Sequence, residues 1–209
     1  MLLTMRFEPA YRAVREQIAA GRIGKVVLAA MQKSYRLGVR PEWQRDRRTF
    51  SGIIPFIGIH ALDLIRWTTG CDFTALMAYQ SNAGHPDLRD MEDNASLALQ
   101  LDSGGSASVR LDYCRPAAAP THGDDRLRVA GSEGVIESLA CGTSVTLITN
   151  DEPPRELALP EAEDQFVDFA TALSEGRECQ VSEADCYRMT EIVLKAREAA
   201  LTGVPLPLL

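Results

Sequence analysis

The segment Gly58-Ile-His-Ala-Leu-Asp63 contains the side chains best suited to acid–base chemistry. His60 and Asp63 are three residues apart, so on a helix they share one face and can touch. A neighbouring carboxylate can raise the pKa of an imidazole toward neutrality, which makes His60 a candidate general acid or base. The same spacing fits a core histidine that pairs with Asp63 only for packing, and spacing alone leaves both interpretations open.

The other histidines and the cysteines show no spacing typical of a catalytic or metal site. His85 and His122 lie in loops beside glycine and proline and are interpreted as solvated. There is no Cys-x-x-Cys or Cys/His pattern, so the sequence predicts neither a metal site nor a disulfide framework. The five cysteines are interpreted as core or incidental residues: Cys71, Cys114, Cys141, Cys179 and Cys186.

No glycine-rich nucleotide-binding turn follows a predicted strand. Gly21-Arg-Ile-Gly24 follows a helix and precedes a strand, which is the reverse of the order in a dinucleotide-binding turn. A phosphate loop, Gly-x-Ser-x-Gly and His-Glu-x-x-His are also missing from the sequence. We therefore expect no cofactor-binding residues in this chain and no tight binding of NADH or NADPH.

The composition excludes several classes of protein. The 209 residues are 45% hydrophobic and 24% charged, with a net charge of -7 and a pI near 5.0. This acidic balance argues against a nonspecific nucleic-acid binder, which needs a cationic surface. The longest apolar runs, such as residues 53–59, are far shorter than the ~20 residues of a membrane span. The N-terminus does not resemble a secretory signal, so we expect a cytoplasmic protein without nucleic-acid or membrane partners.

His60 is predicted to lie on a buried helix over residues 55–69, because this segment is apolar on nearly all sides and stops at Gly70. A helix over residues 8–20 and a β-branched strand over residues 25–35 precede it. Between that strand and the buried helix, residues 36–51 are polar and without period, which predicts a loop.

Seven short runs separated by turn residues follow the buried helix and are predicted to be strands. Turns such as Asp102-Ser-Gly-Gly fit hairpin connections, so the sheet should be mostly antiparallel. Two helices then close the chain, over residues 162–174 and from Ser182 to Gly203, with Ser182 capping the amide of Asp185. The predicted strands cover residues 73–80, 94–101, 106–114, 126–130, 135–139, 144–149 and 155–159.

The predicted fold class is α+β, a single domain with one large, mainly antiparallel sheet and helices on one face. Over residues 94–101 and 106–114, apolar residues alternate with small or polar ones, so the second face of the sheet is available for oligomerisation. We expect a homodimer or a larger homo-oligomer through that face.

The sequence around His60 resembles a signature of the Gfo/Idh/MocA oxidoreductases. Ser51-Gly-Ile-Ile-Pro-Phe-Ile-Gly-Ile-His-Ala-Leu-Asp63 is similar to the family's Gly-Gly-x-x-x-Asp-x-Gly-x-His-x-x-Asp. The likeness covers essentially all of residues 1–209, which we interpret as a C-terminal domain of this family. Further motifs agree in order, namely Arg6-Phe-x-Pro-x-Tyr11, Gly21-x-Ile-Gly24, Glu92-Asp-Asn-Ala, Val129-Ala-Gly-Ser-Glu-Gly134 and the segment from Ser182 to Pro205.

The resemblance implies a two-part enzyme. In the family, an N-terminal Rossmann domain binds NAD or NADP and ends in Glu-Lys-Pro, whose lysine is catalytic. The C-terminal domain contacts the substrate and forms dimers or tetramers through its open sheet face. The present sequence begins just after the point where Glu-Lys-Pro would stand, so the Rossmann domain is expected to be absent from this chain.

Two positions depart from the family pattern. Phe56 stands where the family has Asp, and Ser51 stands at the first Gly. A phenyl ring can neither orient a hydroxyl nor share its proton, so Phe56 argues against ordinary polyol dehydrogenation. His60 and Asp63 are retained, which keeps recognition of a hydroxyl group open.

The arginine-rich loop also has two interpretations. A solvated loop suits Arg47 and Arg48, whereas the resemblance implies that this segment borders the substrate pocket, where Trp43 and Arg45 match best. Trp43 would then offer a stacking surface, and Arg45 a donor to a hydroxyl or carboxylate.

The leading hypothesis is the substrate-binding and oligomerisation half of an NAD(P)-dependent oxidoreductase that acts on a sugar- or polyol-like CH–OH group and is inactive alone. His60 would be the acid or base, and Asp63 would orient it or hold a substrate hydroxyl, beside Trp43 and Arg45. The alternative is a noncatalytic module that binds a ligand or oligomerises, which Phe56 favours. A cofactor-free isomerase or lyase is a third hypothesis, weakened because the sequence shows no second acid or base.

Overall fold

The computed structural model describes residues 2–88 and 90–208, and within them one nine-stranded sheet carries the helices. The helices are α1 (Pro9–Ala19), α2 (Ile59–Thr69), α3 (Gln165–Glu175) and α4 (Glu183–Thr202). The strands are β1 (Val26–Tyr35), β2 (Phe73–Ser81), β3 (Asn94–Leu101), β4 (Ser106–Asp112), β5 (Gly123–Gly131), β6 (Gly134–Leu139), β7 (Ser144–Thr149), β8 (Arg155–Glu156) and β9 (Leu206–Pro207).

The strand order is β8-β7-β6-β5-β1-β4-β3-β2-β9. Strands β2 to β4 and strands β5 to β8 pair with their neighbours in sequence, and the pairings are antiparallel except for β1 with β4. β1 therefore lies at the centre of the sheet, where Met31 is opposite Val109 of β4 and Leu127 of β5. This arrangement confirms the predicted α+β class and the mostly antiparallel sheet.

One face of the sheet is buried and the other is open. On β3, Ala95, Leu97, Leu99 and Leu101 are buried, while the residues between them are exposed. Helix α1 packs against β6 and β7, α2 against β1, and α4 against β2. The alternation follows from the two-residue period of a strand, which sends successive side chains to opposite faces.

Helix α2 begins with an irregular turn that fixes its depth in the core. Residues Ile54–Gly58 form one π-helical turn that runs directly into α2. Gly58 permits a close approach to the sheet, because a Cβ atom there would lie 2.8 Å from Leu111 Cδ1 on β4. The helix is buried along most of its length, as its apolar composition predicts, and His60 is in its first turn.

Some boundaries and packing differ from the sequence predictions. The last predicted strand, over residues 155–159, shortens at its C-terminal end to Arg155–Glu156, because only these two residues pair with β7. The short strand β9, which pairs with β2, had no sequence signal. The N-cap at Ser182 is confirmed, since the amide of Asp185 donates to Ser182 Oγ at 3.0 Å.

Helix α3 exposes the apolar residues that its sequence places on one face. Phe166 is 75% exposed and Leu173 is 73% exposed, and Phe169 is exposed as well. The helix is anchored through polar groups, because Asp168 accepts hydrogen bonds from Arg177 Nη1 at 3.0 Å and from the amide of Gln180 at 2.8 Å. Among the described residues, no helix combines the length and the apolar character that crossing a membrane requires.

Candidate functional site

His60 is half-buried and lines a cleft of about 340 Å³, which we call the His60 cleft. The cleft lies where the start of α2 meets the ends of β1 and β5 and the segment before α1. Its walls combine charged, aromatic and aliphatic side chains, so His60 is not enclosed by apolar residues alone. The lining residues are Thr4, Met5, Glu8, Lys33, Tyr35, Phe56, Ile57, His60 and Asp125.

A buried ion pair forms one wall of the His60 cleft. Lys33 on β1 donates from Nζ to Asp125 Oδ2 on β5, and both residues are buried. Tyr35 donates from its hydroxyl to the same oxygen at 3.0 Å, and Lys33 Nζ also lies 3.3 Å from Met5 Sδ. Among the described residues, Asp125 Oδ1 has no hydrogen-bond partner, so this carboxylate keeps an unused acceptor.

The electrostatics of this cleft favour a neutral imidazole. Burial lowers the pKa of His60 from its ordinary value of 6.5, and the positive charge of Lys33 lowers it further, against the opposing effect of Asp125. Burial also raises the pKa of Glu8, with Lys33 opposing and Asp125 reinforcing that shift. A neutral histidine beside a charged pair can accept a proton from a bound hydroxyl group.

Asp63 belongs to a different network. Its Oδ2 accepts from Arg6 Nε at 3.0 Å and its Oδ1 from Arg6 Nη2 at 2.5 Å, with both side chains 2% exposed. Arg6 Nη1 also donates to Asp185 on α4 at 2.9 Å. The structure therefore does not bring Asp63 and His60 together as a hydrogen-bonded pair, although they are three residues apart on one helix.

Trp43 and Arg45 line a second, larger cleft of about 890 Å³. Trp43 does not line the His60 cleft but contacts a residue that does, since its ring centroid is 6.1 Å from that of Phe56. We call this larger cleft the arginine cleft. The arginine cleft is lined by Glu42, Trp43, Arg45, Asp46, Arg47, Arg48, Thr49, Asp87, Leu88 and Asp90. The predicted site residues are thus divided between two neighbouring depressions and the Arg6 network.

The sequence analysis missed Lys33, Tyr35 and Asp125. A signal for the first two was present, because Met31, Lys33 and Tyr35 occupy alternate positions on β1 and so point to one face. A lysine at an inward position of a central strand needs a buried partner. That reasoning could have singled out Lys33, but the identity of Asp125 depends on the register of β5 against β1, where Lys33 is opposite Asp125.

The described residues do not fit the pyrophosphate of a dinucleotide cofactor. Gly21 and Gly24 have positive φ angles of 74° and 69°, yet they connect the end of α1 to the start of β1. A dinucleotide-binding turn instead leads from a strand into a helix, whose N-terminal amides hold the phosphates. We therefore derive no step of the chemistry through a cofactor held by these residues.

Comparison with known proteins decides the family. A family model described as the GFO/IDH/MocA C-terminal domain matches residues 11–137. The chain belongs to the GFO/IDH/MocA family. A Thermotoga maritima protein described as an oxidoreductase has a solved structure that superimposes with a TM-score of 0.93 at 35% identity, covering 98% of this chain and 62% of that one. This agreement confirms the resemblance that the motifs around His60 predicted.

Two further GFO/IDH/MocA relatives have named activities. The scyllo-inositol 2-dehydrogenase (NAD(+)) of Bacillus subtilis is 24% identical over 97% of this chain and 60% of its own length. An aldose-aldose oxidoreductase from Caulobacter crescentus, solved in complex with glycerol, shares the fold with a TM-score of 0.86 at 21% identity, covering 98% of this chain and 62% of that one. The chain thus spans about three fifths of the length of the relatives it matches.

Proposed function

We propose that this chain is the substrate-binding half of an NAD(P)-dependent oxidoreductase that acts on a secondary CH–OH group of a sugar- or polyol-like compound. Membership of the GFO/IDH/MocA family and the inositol dehydrogenase among its relatives support the reaction class. The observation that carries the proposal is His60, an imidazole with a lowered pKa on the wall of a cleft that it shares with the ion pair of Lys33 and Asp125. The hydride acceptor is expected to be held outside these 209 residues.

His60 acts as the general base in this proposal. Oxidation of a carbinol removes the hydroxyl proton as the hydride leaves, so the base must be unprotonated near neutral pH. Burial and Lys33 both lower the pKa of His60 and keep it in that state. Lys33 therefore contributes by its charge, while its own hydrogen bond goes to Asp125.

Asp125 fixes one wall of the cleft in this proposal. Its Oδ2 is occupied by Lys33 and Tyr35 and its Oδ1 is buried, so Asp125 holds these two side chains in place and does not itself bind the substrate. Asp63 has a different role here from the predicted one, because its buried ion pair with Arg6 ties α2 to the segment before α1 and leaves it away from the substrate. Trp43 and Arg45 would contact only a substrate long enough to reach the arginine cleft.

We also propose that the open face of the sheet forms the interface of a homodimer or tetramer. Exposed side chains on β3 and β4 are small or polar, for example Ser96, Gln100 and Ser108. Such a face is partly polar, as interfaces between protein subunits commonly are. The five cysteines are free thiols, as a reducing cytoplasm would keep them.

A noncatalytic ligand-binding module is the second candidate, and Phe56 favours it. This ring is 39% exposed on the wall of the His60 cleft, at the position where the family pattern has a carboxylate. An apolar wall removes an acceptor for a substrate hydroxyl. Under this alternative the cleft binds a ligand, but His60 transfers no proton.

The test joins this chain to a nucleotide-binding domain of the family and measures NAD⁺ reduction with scyllo- and myo-inositol. His60→Gln should lower kcat by ~10²–10⁴-fold, the usual contribution of a general base, while inositol still binds. Thr190→Ala, an exposed change on α4, serves as the control and should leave kcat unchanged. Inositol binding without turnover in the parent protein would favour the noncatalytic module instead.

A further inference from the structure

Three strand ends bring a histidine, an aspartate and a cysteine together on the side of the sheet where β2 ends. His85 lies in the loop after β2, Asp93 directly precedes β3, and Cys114 follows β4. Because β3 is paired with both β2 and β4, these chain segments meet at one edge. One potential ligand atom from each of the three side chains lies within 4.8 Å of the other two.

Asp93 is the most buried residue of this cluster, and hydrogen bonds hold it in place. It is 0% exposed, and its Oδ2 lies 3.0 Å from His85 Nδ1 while Oδ1 accepts from Asn94 Nδ2 at 2.6 Å. Its backbone is held on both sides, since its amide donates to Ser81 O and its carbonyl accepts from the amide of Tyr113. The carboxylate therefore has one defined orientation, with Oδ2 turned toward His85.

The backbone at Gly84 packs closely against the side chains of Asp93 and Cys114. A Cβ atom on Gly84 would lie 2.8 Å from Asp93 Oδ2 and 3.2 Å from Cys114 Sγ. Any side chain at residue 84 would push into the carboxylate and the thiol. The glycine thus lets the main chain cover one side of the cluster, while Cys114 leaves the other side open to solvent.

The donor set has the chemistry of a zinc ligand set. An imidazole nitrogen, a thiolate and a carboxylate oxygen are the three ligand types that Zn²⁺ takes in proteins, whereas Mg²⁺ and Ca²⁺ take oxygen ligands. A tetrahedral zinc centre places its ligand atoms about 3–4 Å apart, so only a small closure of the cluster is needed. Two negative ligands balance the charge of the ion, and Asp112 contributes a further negative charge nearby, since its Oδ1 accepts from the amide of Cys114.

We propose that His85, Asp93 and Cys114 bind one Zn²⁺ ion, with water as the fourth ligand. None of the three lines the His60 cleft, so the proposal is independent of the acid–base role of His60. Its effect falls on the loop between β2 and β3. That loop carries Asp87 and Asp90, which line the arginine cleft, and the amide of Leu88 donates to His85 O. A bound ion would fix this border of the arginine cleft.

The site can be tested with Co²⁺, which substitutes for Zn²⁺ and gives an absorption band when a thiolate is bound. Titration of the purified chain should show a thiolate–cobalt band that saturates at one equivalent, and Zn²⁺ should displace it. Cys114→Ser should abolish the band, and His85→Gln should weaken Co²⁺ binding by at least ~100-fold. Both residues lie on or near the surface, so the folded chain should tolerate these changes.

Cys141→Ser is the matched control, because Cys141 is the other exposed thiol and also lies beside an aspartate, Asp125. It should leave the band and the affinity unchanged. A band that persists in Cys114→Ser, or an affinity that His85→Gln leaves unaltered, would overturn the proposal. His60→Gln should bind Co²⁺ like the parent chain, which separates failure of this site from failure of the proposed function.

Discussion

Two polar networks begin at neighbouring turns of α2 and differ in how completely their groups are used. In the network of Asp63, each carboxylate oxygen accepts a hydrogen bond from Arg6, and both side chains are almost fully buried. Around His60, the ion pair of Lys33 and Asp125 borders an open cleft, and among the described residues one buried oxygen of Asp125 has no hydrogen-bond partner. A buried network with its groups satisfied holds the fold, whereas charged and titratable groups that border a cleft can act on a ligand.

The largest expected effect is on the free energy of unfolding, which a substitution in the Asp63 network should lower more than one at His60. Arg6→Met leaves the Asp63 carboxylate buried without its partner and should lower the free energy of unfolding by about 3–5 kcal/mol. His60→Gln should cost at most about 1 kcal/mol, because the imidazole is only half-buried and has no ion-pair partner among the described residues. Urea denaturation of both variants measures the difference.

Arg48→Met is the control for losing an arginine ion pair as such. Arg48 pairs with Asp46 but is 88% exposed, so its loss should leave the free energy of unfolding nearly unchanged. Equal losses for Arg6→Met and His60→Gln would mean that the two networks contribute alike to the fold.

A second effect concerns the charge that surrounds His60. Lys33→Met removes the positive charge that helps to lower the pKa of His60, while Asp125 remains, so this pKa should move upward toward its ordinary value of 6.5. An NMR titration of the His60 ring protons measures it. An unchanged or lower His60 pKa in Lys33→Met would contradict the electrostatic account of the cleft.

The same lowered pKa predicts how acid affects stability. His60 binds a proton less readily in the folded than in the unfolded chain, so its contribution to stability is present above pH 6.5 and is lost as the pH falls through the lowered folded value. Between about pH 7 and about pH 5, the parent chain should lose more stability than His60→Gln. If Lys33→Met does not fold, this comparison still tests the direction of the shift.

The smallest expected effect is on the affinity of the His60 cleft for inositol. Phe56→Asp restores an acceptor on the cleft wall and should strengthen inositol binding by about 0.5–1.5 kcal/mol, the usual net value of one hydrogen bond. Phe56→Leu keeps the wall apolar and serves as the control. Calorimetric titration of inositol into the two variants measures the difference, and equal affinities would remove Phe56 as a determinant of ligand choice.

Local patterns in the sequence predict much of this fold. The alternation over residues 94–101 identifies β3 and its buried face, and the apolar segment around His60 identifies the buried helix, although not the π-helical turn before it. Ser182 marks the start of α4 because a cap is a contact between residues three apart. These features depend on interactions between near neighbours in the chain, which the sequence displays directly.

The candidate site was harder to predict because its contacts span long stretches of chain. The partner of Asp63 is Arg6 and the partner of Lys33 is Asp125, and neither pairing follows from any local spacing. The cluster of His85, Asp93 and Cys114 likewise depends on how β2, β3 and β4 are aligned. Helical spacing placed Asp63 near His60, but a charged arginine offered that carboxylate a stronger partner.

The central position of β1 has a consequence for how the chain is made. Among the nine strands described here, β1 comes first in the chain, yet the strands that pair with its two edges, β4 and β5, begin at Ser106 and Gly123. At ~5–20 residues per second, roughly 4 to 18 seconds pass between the end of β1 and the start of these two strands. During that interval both edges of β1 lack their native partner strands, which leaves β1 open to mispairing.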